Sequence, residues 1–310
     1  MKCITLTLNP AFDKHCFVKE LMLGHEHLAE SASFDAGGKG VNISRALTVN
    51  GIESNAVVVL GKENKEAFCA ALESSNMKYT AITIEGKVRE NLTIHTLSGV
   101  ETRISFKGFN TDDTLLDEVY SIIESDLSSD TILTFTGSAP VGVSMAAINS
   151  FLKKAYSKGC KIVIDSKSFK TLEEIVTLKP WLIKPNSEEI SEYMGKNISD
   201  YNEILEVAQK LHNDGIENVM ISLGSKGAML VCDEGAYIGT PPDVKIKSTI
   251  GAGDSSIAGF ISAIMMNESI ANALKTSMAY GTAACMQEGT NPPLPKDVAE
   301  AFEKVIIRKL

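Results

Sequence analysis

No stretch of the chain is apolar for long enough to cross a membrane: Ile257 to Met266 is about half the length a spanning helix needs. No two cysteines stand at CxxC spacing. The six thiols, Cys3, Cys16, Cys69, Cys160, Cys232 and Cys285, lie scattered and mostly inside apolar runs, the pattern of reduced cysteines in a cytoplasmic protein. The first residues, Met1 to Leu8, alternate as a strand and carry neither the apolar core nor the cleavage site of a signal peptide. Positive charge is also scarce. Thirty Lys and Arg against 39 Asp and Glu leave a formal charge of −9, which argues against nucleic acid or an anionic membrane as partner. An anionic ligand would therefore need a local basic pocket. There is no Walker A spacing and no G-x-G-x-x-G after an early strand, so a nicotinamide dehydrogenase is disfavoured. His25 and His27 have no third ligand beside them and read as surface residues. No linker, repeat or low-complexity segment interrupts the 310 residues.

What is present is glycine-rich and placed at helix starts. Ser248 to Ser256 reads S-T-I-G-A-G-D-S-S, and Ile257, Phe260, Ile261 and Ile264 then follow at helical spacing. Gly251, Ala252 and Gly253 would open a buried helix whose unpaired N–H groups and positive dipole end face an anion. Asp254, in the same turn, would stay ionised and accept a proton from an alcohol. An anion cradle beside a base suits phosphoryl transfer to a hydroxyl; an ordinary capped helix is the plain alternative. Asp35-Ala36-Gly37-Gly38-Lys39-Gly40 leads into a second helix and builds a lysine into the turn, a second anion site.

Between these, strands and helices alternate. The opening strand stops at Asn9-Pro10, leaving Asn9 and Asp13 at its carboxyl end. Cys16–Val18 and His27–Phe34 read as short strands. Lys87–His95 and Thr102–Gly108 read as a hairpin carrying Arg89, Arg103 and Lys107. The repeating order from Thr131 onwards predicts a doubly wound, mostly parallel sheet with helices on both faces, a three-layer α/β fold. Two helices, Ser269–Met286 and Lys296–Arg308, close the chain. The expectation is one domain over 1–310, with a small β-sheet lid drawn from about 12–34 and 87–108.

Two further patterns carry chemistry. Asn186 and Glu189, after Lys184 at a strand end, could share a hydrated Mg²⁺ or could form a capping box. Ser222-Leu223-Gly224-Ser225-Lys226-Gly227 offers a turn for a nucleotide's phosphates or ribose, or merely a hairpin.

Together, Gly37–Gly40 with Asn42, Lys184-Pro185-Asn186-x-x-Glu189, Ser222 to Gly227 and Gly251–Asp254 resemble the signatures of the ribokinase-like (PfkB) sugar kinases, in order and over the whole chain. The opening Thr5 to Asp13 is similar to the phosphosugar branch, and Arg89-Glu90-Asn91 to its fructose 1-phosphate kinases. The sequence departs from the family at Thr136, where serine is usual, and at Glu90, where isoleucine is usual. The resemblance implies a ribokinase-like fold and transfer from ATP, with Mg²⁺, to a ketohexose phosphate, fructose 1-phosphate first. Tagatose 6-phosphate, or an unphosphorylated sugar or nucleoside, is the alternative acceptor, and a non-catalytic binding regulator the alternative class. It assigns Asp254 as base, Gly251 to Gly253 as anion hole, and Asp13 and Asn42 to sugar hydroxyls. Lys39 and Arg89, with Asn91, would take the sugar's phosphate, and Gly38 and Ser138 would complete that subsite. Lys184, Asn186, Ser222, Gly224 and Gly227 would serve the nucleotide, and Asn186 and Glu189 the metal. A homodimer through the lid is compatible with it.

Overall fold

A computed structural model describes all residues from Met1 to Leu310. The chain begins with β1 (Lys2–Thr7), β2 (Ala11–Val18), β3 (Ser31–Gly37), α1 (Lys39–Val49), β4 (Asn55–Gly61), α2 (Lys65–Ser74) and β5 (Tyr79–Ile84). It continues through β6 (Arg89–Thr96), β7 (Glu101–Ile104), α3 (Thr114–Ile123), β8 (Thr131–Gly137), α4 (Met145–Ser157), β9 (Lys161–Ser166) and α5 (Leu172–Val176). The next elements are β10 (Leu182–Ile183), α6 (Ser187–Met194), α7 (Tyr201–Asn213), β11 (Asn218–Ser222), β12 (Ala228–Cys232) and β13 (Gly235–Thr240). The chain ends with α8 (Ala252–Met265), α9 (Ile270–Cys285), α10 (Pro295–Lys304) and β14 (Ile306–Lys309).

Ten strands form one sheet in the order β14-β13-β12-β11-β10-β9-β8-β1-β4-β5. From β11 to β5 the neighbours are parallel, and their residues form near-continuous apolar runs such as Ala56 to Leu60, all fully buried. Burial on both faces explains that composition. One core packs α2, α3, α4, α6 and α7 against one face, through Phe68, Val119, Phe151, Ile190 and Leu211. The other packs α1, α8, α9 and α10 on the opposite face, through Leu47, Phe260, Leu274 and Ala301. The three-layer, mostly parallel architecture expected from the alternation is what forms.

The chain lays β4 and β5 on one side of β1, then crosses to put β8 to β14 on the other. The strand order therefore reverses beside β1 and β8, and ligands of open α/β sheets bind outside the carboxyl ends of strands at such a reversal. A separate four-stranded sheet, ordered β3-β2-β6-β7, stands at that edge.

Several details differ from the sequence expectation. β2 starts at Ala11 instead of Cys16, because Pro10 ends one ladder and the chain at once enters another; β3 lies at Ser31–Gly37 instead of His27–Phe34. The last helix ends at Lys304 and not at Arg308: Ile306 to Lys309 pair antiparallel with β13, where β-branched residues fit a pleated edge. β11 to β14 are antiparallel, so the sheet is not parallel throughout. α3, β5 and β13 form in stretches whose residue pattern predicts no element.

Candidate active site

At the carboxyl edge the two glycine-rich turns converge. Gly251 caps α8 in the left-handed region, φ 80°, which places Ala252, Gly253 and Asp254 in its first turn. A Cβ on Gly253 would stand 3.1 Å from Lys184 Nζ, so this glycine is what lets the ammonium lie against the helix tip. Gly38 precedes α1, and Lys39 is its first helical residue. Thr7 on β1 caps that helix by accepting from the Val41 amide at 3.0 Å. One turn on, Asn42 Nδ2 donates to Asp254 Oδ2 at 2.8 Å, which joins the two helix starts directly.

Asp254 is buried, and burial pushes its carboxyl up to about 6 from 3.8. Lys39, the Asn42 hydrogen bond and Lys184 oppose that rise, while nearby Asp165 adds to it. Asp165, at the end of β9, sits between the two lysines: Lys39 Nζ is 2.6 Å from one of its oxygens and Lys184 Nζ 3.6 Å from the other. Burial alone would raise this carboxyl too, but Lys184 and Lys39 outweigh it and hold it below the ordinary carboxylate range. Two buried carboxylates in one pocket are thus driven in opposite directions, the arrangement that separates a base from a fixed counter-ion.

A second charged group lies on the small sheet. Asp13 Oδ1 accepts from Asn91 Nδ2 at 2.9 Å and from Arg103 at 3.1 Å. A Cβ on Gly37 would fall 2.5 Å from the other Asp13 oxygen, so only glycine leaves room for that carboxylate. Arg89 donates to the carbonyls of Asn9, Pro10 and Phe106. Three of its five N–H groups are spent in this way and two remain for a ligand. Asn91 is engaged at both ends, since its Oδ1 also accepts from the Phe106 amide, and one Nδ2 hydrogen is left over.

The sequence-selected residues are largely brought together. Asp13, Gly38, Lys39, Asn42, Arg89, Asn91, Ser138, Lys184, Asn186, Glu189, Ser222, Gly251, Gly253 and Asp254 line one cleft of about 750 Å³. Lys39, however, does not share Arg89's surroundings. Its charged neighbours are Asp165, Asp254 and Glu189, whereas those of Arg89 are Asp13 and Arg103. Gly224 and Gly227 do not reach the cleft wall: they shape a hairpin turn between β11 and β12, where Gly227 lies against the Gly239 carbonyl and Gly224 faces open space. Asn186 and Glu189 form the capping box, with Asn186 Oδ1 accepting at 2.7 Å and Glu189 Oε2 at 3.1 Å. The other Glu189 oxygen is left for a cation that keeps most of its waters. No three His, Cys, Asp or Glu side chains converge as a closed metal site.

The sequence reading did not select Asp165, Thr7, Thr136 or Thr290 as site residues, yet all four line the cleft. For Asp165 a signal existed, an acid ending an otherwise apolar central strand. Asn9 Oδ1, Asn42 Oδ1, Thr136 Oγ1 and Thr290 Oγ1 are buried in this wall without a hydrogen-bond partner. Such atoms are costly unless a ligand supplies the missing bonds, and a polyhydroxylated one would.

Comparison with known proteins agrees with that chemistry. The 1-phosphofructokinase of Escherichia coli K12 is 31% identical over 91% of this chain and 90% of its own. That of Borreliella burgdorferi is 31% identical over 91% of both. The crystal structure of E. coli phosphofructokinase-2 with substrates and products superposes with a TM-score of 0.92 at 25% identity, covering 98% of this chain and 99% of that one. Arabidopsis thaliana ribokinase, at 19% identity and a TM-score of 0.78, shares the fold. The model of the pfkB family carbohydrate kinases matches residues 9–297, and with two glycine-rich helix starts joined at one buried carboxylate, the chain belongs to that family.

Proposed function

We infer that the cleft transfers the γ-phosphoryl group of MgATP to a hydroxyl of a ketohexose phosphate, with fructose 1-phosphate the first choice and fructose 1,6-bisphosphate the product. The observation that carries this reading is Asp254, buried at the anion-binding tip of α8 with Lys184 against Gly253 and Lys39 alongside. Asp254 accepts the proton of the attacking hydroxyl as the new O–P bond forms and the bond to ADP breaks. Late proton loss in a loose transition state makes its orientation, set by Asn42, matter more than its basicity. The N–H groups of Gly251 to Gly253, with Lys184 and Lys39, stabilise charge on the group in flight. The free Glu189 oxygen would hold Mg²⁺ through water, and the ion would supply positive charge to balance the nucleotide phosphates. Ser222 and Asn186 border the nucleotide.

The charged neighbours of Lys39 support a role other than the expected one. Standing among Asp165, Asp254 and Glu189, it serves the transferred phosphoryl group, and the sugar's own phosphate falls to the free N–H groups of Arg89 with Arg103 near. Asp13 and the unpartnered Asn42 oxygen meet sugar hydroxyls, and Ser138 lies beside them. Asn91 acts by holding Asp13.

The structural likeness to E. coli phosphofructokinase-2, one structure of which is in complex with fructose 6-phosphate, supports that sugar as the second reading. ATP consumption with fructose 1-phosphate, fructose 6-phosphate and tagatose 6-phosphate side by side tests both. The highest kcat/KM is expected with fructose 1-phosphate; preference for another sugar reassigns the acceptor, and no turnover with any leaves a binding regulator.

The catalytic unit is the whole chain, with the small sheet as its lid, and its unpaired thiols suit a cytoplasmic setting. No helix is long and apolar enough to cross a membrane. On the lid face away from Asp13, Lys14, Phe34, Leu92 and Ile104 stand in register, with Phe34 50% and Ile104 46% exposed. A second copy of the chain covers the three apolar side chains of this row, with the Lys14 ammonium reaching to its rim. Sedimentation equilibrium should return a dimer that Ile104→Glu converts to monomer; a monomeric wild type would remove this proposal.

A further inference from the structure

His15 lies two residues beyond Asp13 on β2, so its ring shares the face of the small sheet that meets the cleft. It is 2% exposed. Its Nδ1 is 2.9 Å from His95 Nε2, and His95 Nδ1 is 3.0 Å from a Glu101 oxygen. A carboxylate only accepts, so His95 carries its proton on Nδ1 and presents a lone pair at Nε2. His15 must then donate from Nδ1. The neutral chain therefore leaves His15 Nε2 as a bare acceptor, and that atom is buried without a partner. Phe17 stacks on His95 with centroids 4.7 Å apart and holds that ring in place.

Opposite His15 Nε2 lies the loop after α9. A Cβ on Gly289 would be 3.7 Å from Nε2 and 3.5 Å from Asp35 Oδ2. The next residue, Thr290, lines the cleft, and its Cα would lie 3.9 Å from a Cβ on Gly251, the cap of the anion-binding helix. We propose that His15, aimed by His95 and Glu101, is a positioning residue that seats the lid on the Gly289–Thr290 loop only while its ring is neutral. This rests on the kinase reading of the cleft and adds to it a proton-dependent closure.

Protonation would give Nε2 a hydrogen, and the nearest acceptor is Asp35 Oδ2 at 3.9 Å, which faces the same glycine. The charged ring would have to be desolvated where the loop covers Nε2, so seating the loop over it costs free energy that the neutral ring does not. The charges facing it are Asp35 on β3, Asp13 on β2, Arg103 and Glu101 on β7, and His95 on β6; Arg45 on α1 lies behind Asp35. Burial, with His95 and Arg103, holds the ring's proton affinity below its ordinary value, against the pull of Asp35 and Asp13. A seated lid therefore binds the proton less tightly than a free one. By linkage, acid favours the open lid, and the closed lid is recovered as pH rises through the ordinary histidine range.

The test separates KM from kcat. From pH 7.5 to 5.5, KM for fructose 1-phosphate (or whichever panel sugar is used) should rise about five- to tenfold in the wild type, and KM for MgATP less than about twofold. In His15→Gln the sugar KM should keep only the smaller pH dependence that the substrate phosphate's own titration near pH ~6 contributes, while the kcat profile is unchanged. A variant that keeps the wild-type slope overturns the proposal. Hydrogen exchange of the segment 286–292, corrected for intrinsic rate, needs no substrate. Protection should fall between pH 7.5 and 5.5 in the wild type and not in the variant; identical profiles overturn the latch even if the choice of acceptor is wrong. Loss of turnover with every sugar, by contrast, would count against the kinase reading alone.

Discussion

Replacing Asp254 by asparagine is expected to lower kcat by at least about a thousandfold and, in the same protein, to raise the melting temperature. The first effect follows from its position. Asn42 would still hold the side chain, so the geometry survives and only the proton acceptor is lost; MgATP should bind as before. The second follows from burial. A carboxyl raised from 3.8 to about 6 costs the fold nothing below the lower value. The cost builds as pH rises between the two and is fully present above about 6. That interval corresponds to about 3 kcal/mol at neutral pH, or a gain of about 5 °C in a chain of this length once the charge is removed. Scanning calorimetry at pH 7.5 and 4 checks it: the gain should be present at the first pH and small at the second. The wild type should also lose kcat about tenfold per unit below pH 6, as the base becomes protonated. Near-normal turnover in the variant would remove Asp254 from the base role.

That position could be read from sequence because its chemistry is local. Two glycines, an acid and an apolar helical stripe lie within fourteen residues of chain, from Gly251 to Ile264, and so do the cap and carboxylate of Asn186 and Glu189 within one turn. The parallel core strands were legible for a related reason: burial on both faces makes them continuous apolar runs. What could not be read depends on contacts far apart in the chain. Lys39 and Asp165 are separated by 126 positions, and nothing around either residue announces the other. The spacing of Ser222, Gly224 and Gly227 fits a ligand loop and a hairpin equally; the pairing of β11 with β12 shows the hairpin, with Ser222 at the cleft. Ile306 and Ile307 continue the apolar period of α10 well enough to read as helix until β13 offers them an edge. His15 and His95 meet across 80 positions, and nothing local to either residue marks the other.

Asp165→Asn should have the opposite signature to Asp254→Asn: both activity and stability should fall. Asp165 is the shared counter-ion of Lys39 and Lys184, and Lys184 is 7% exposed. An amide of the same size keeps the shape but leaves the two ammonium groups with Asp254 alone to balance them. Removing one partner of a buried ion cluster typically costs about 3–5 kcal/mol. The depressed carboxyl also fixes the sign with pH: the stability it contributes is present above the ordinary carboxylate range and fades as acid protonates it. Unfolding of wild type and variant should therefore converge towards low pH. Without Asp165 both lysines also lose their aim at the anion-binding turn, so kcat should drop by about a hundredfold or more. Lys39→Met in the Asp165→Asn background discriminates between the two effects. Deleting one of the unbalanced cations should restore part of the stability while leaving kcat low, because a cation is still missing where the phosphoryl group passes. If the double variant recovered activity along with stability, Asp165 would be a folding residue only. If Asp165→Asn were as stable as the wild type, the lysines would be solvated, and the dry, preorganised pocket on which Asp254 depends would not exist.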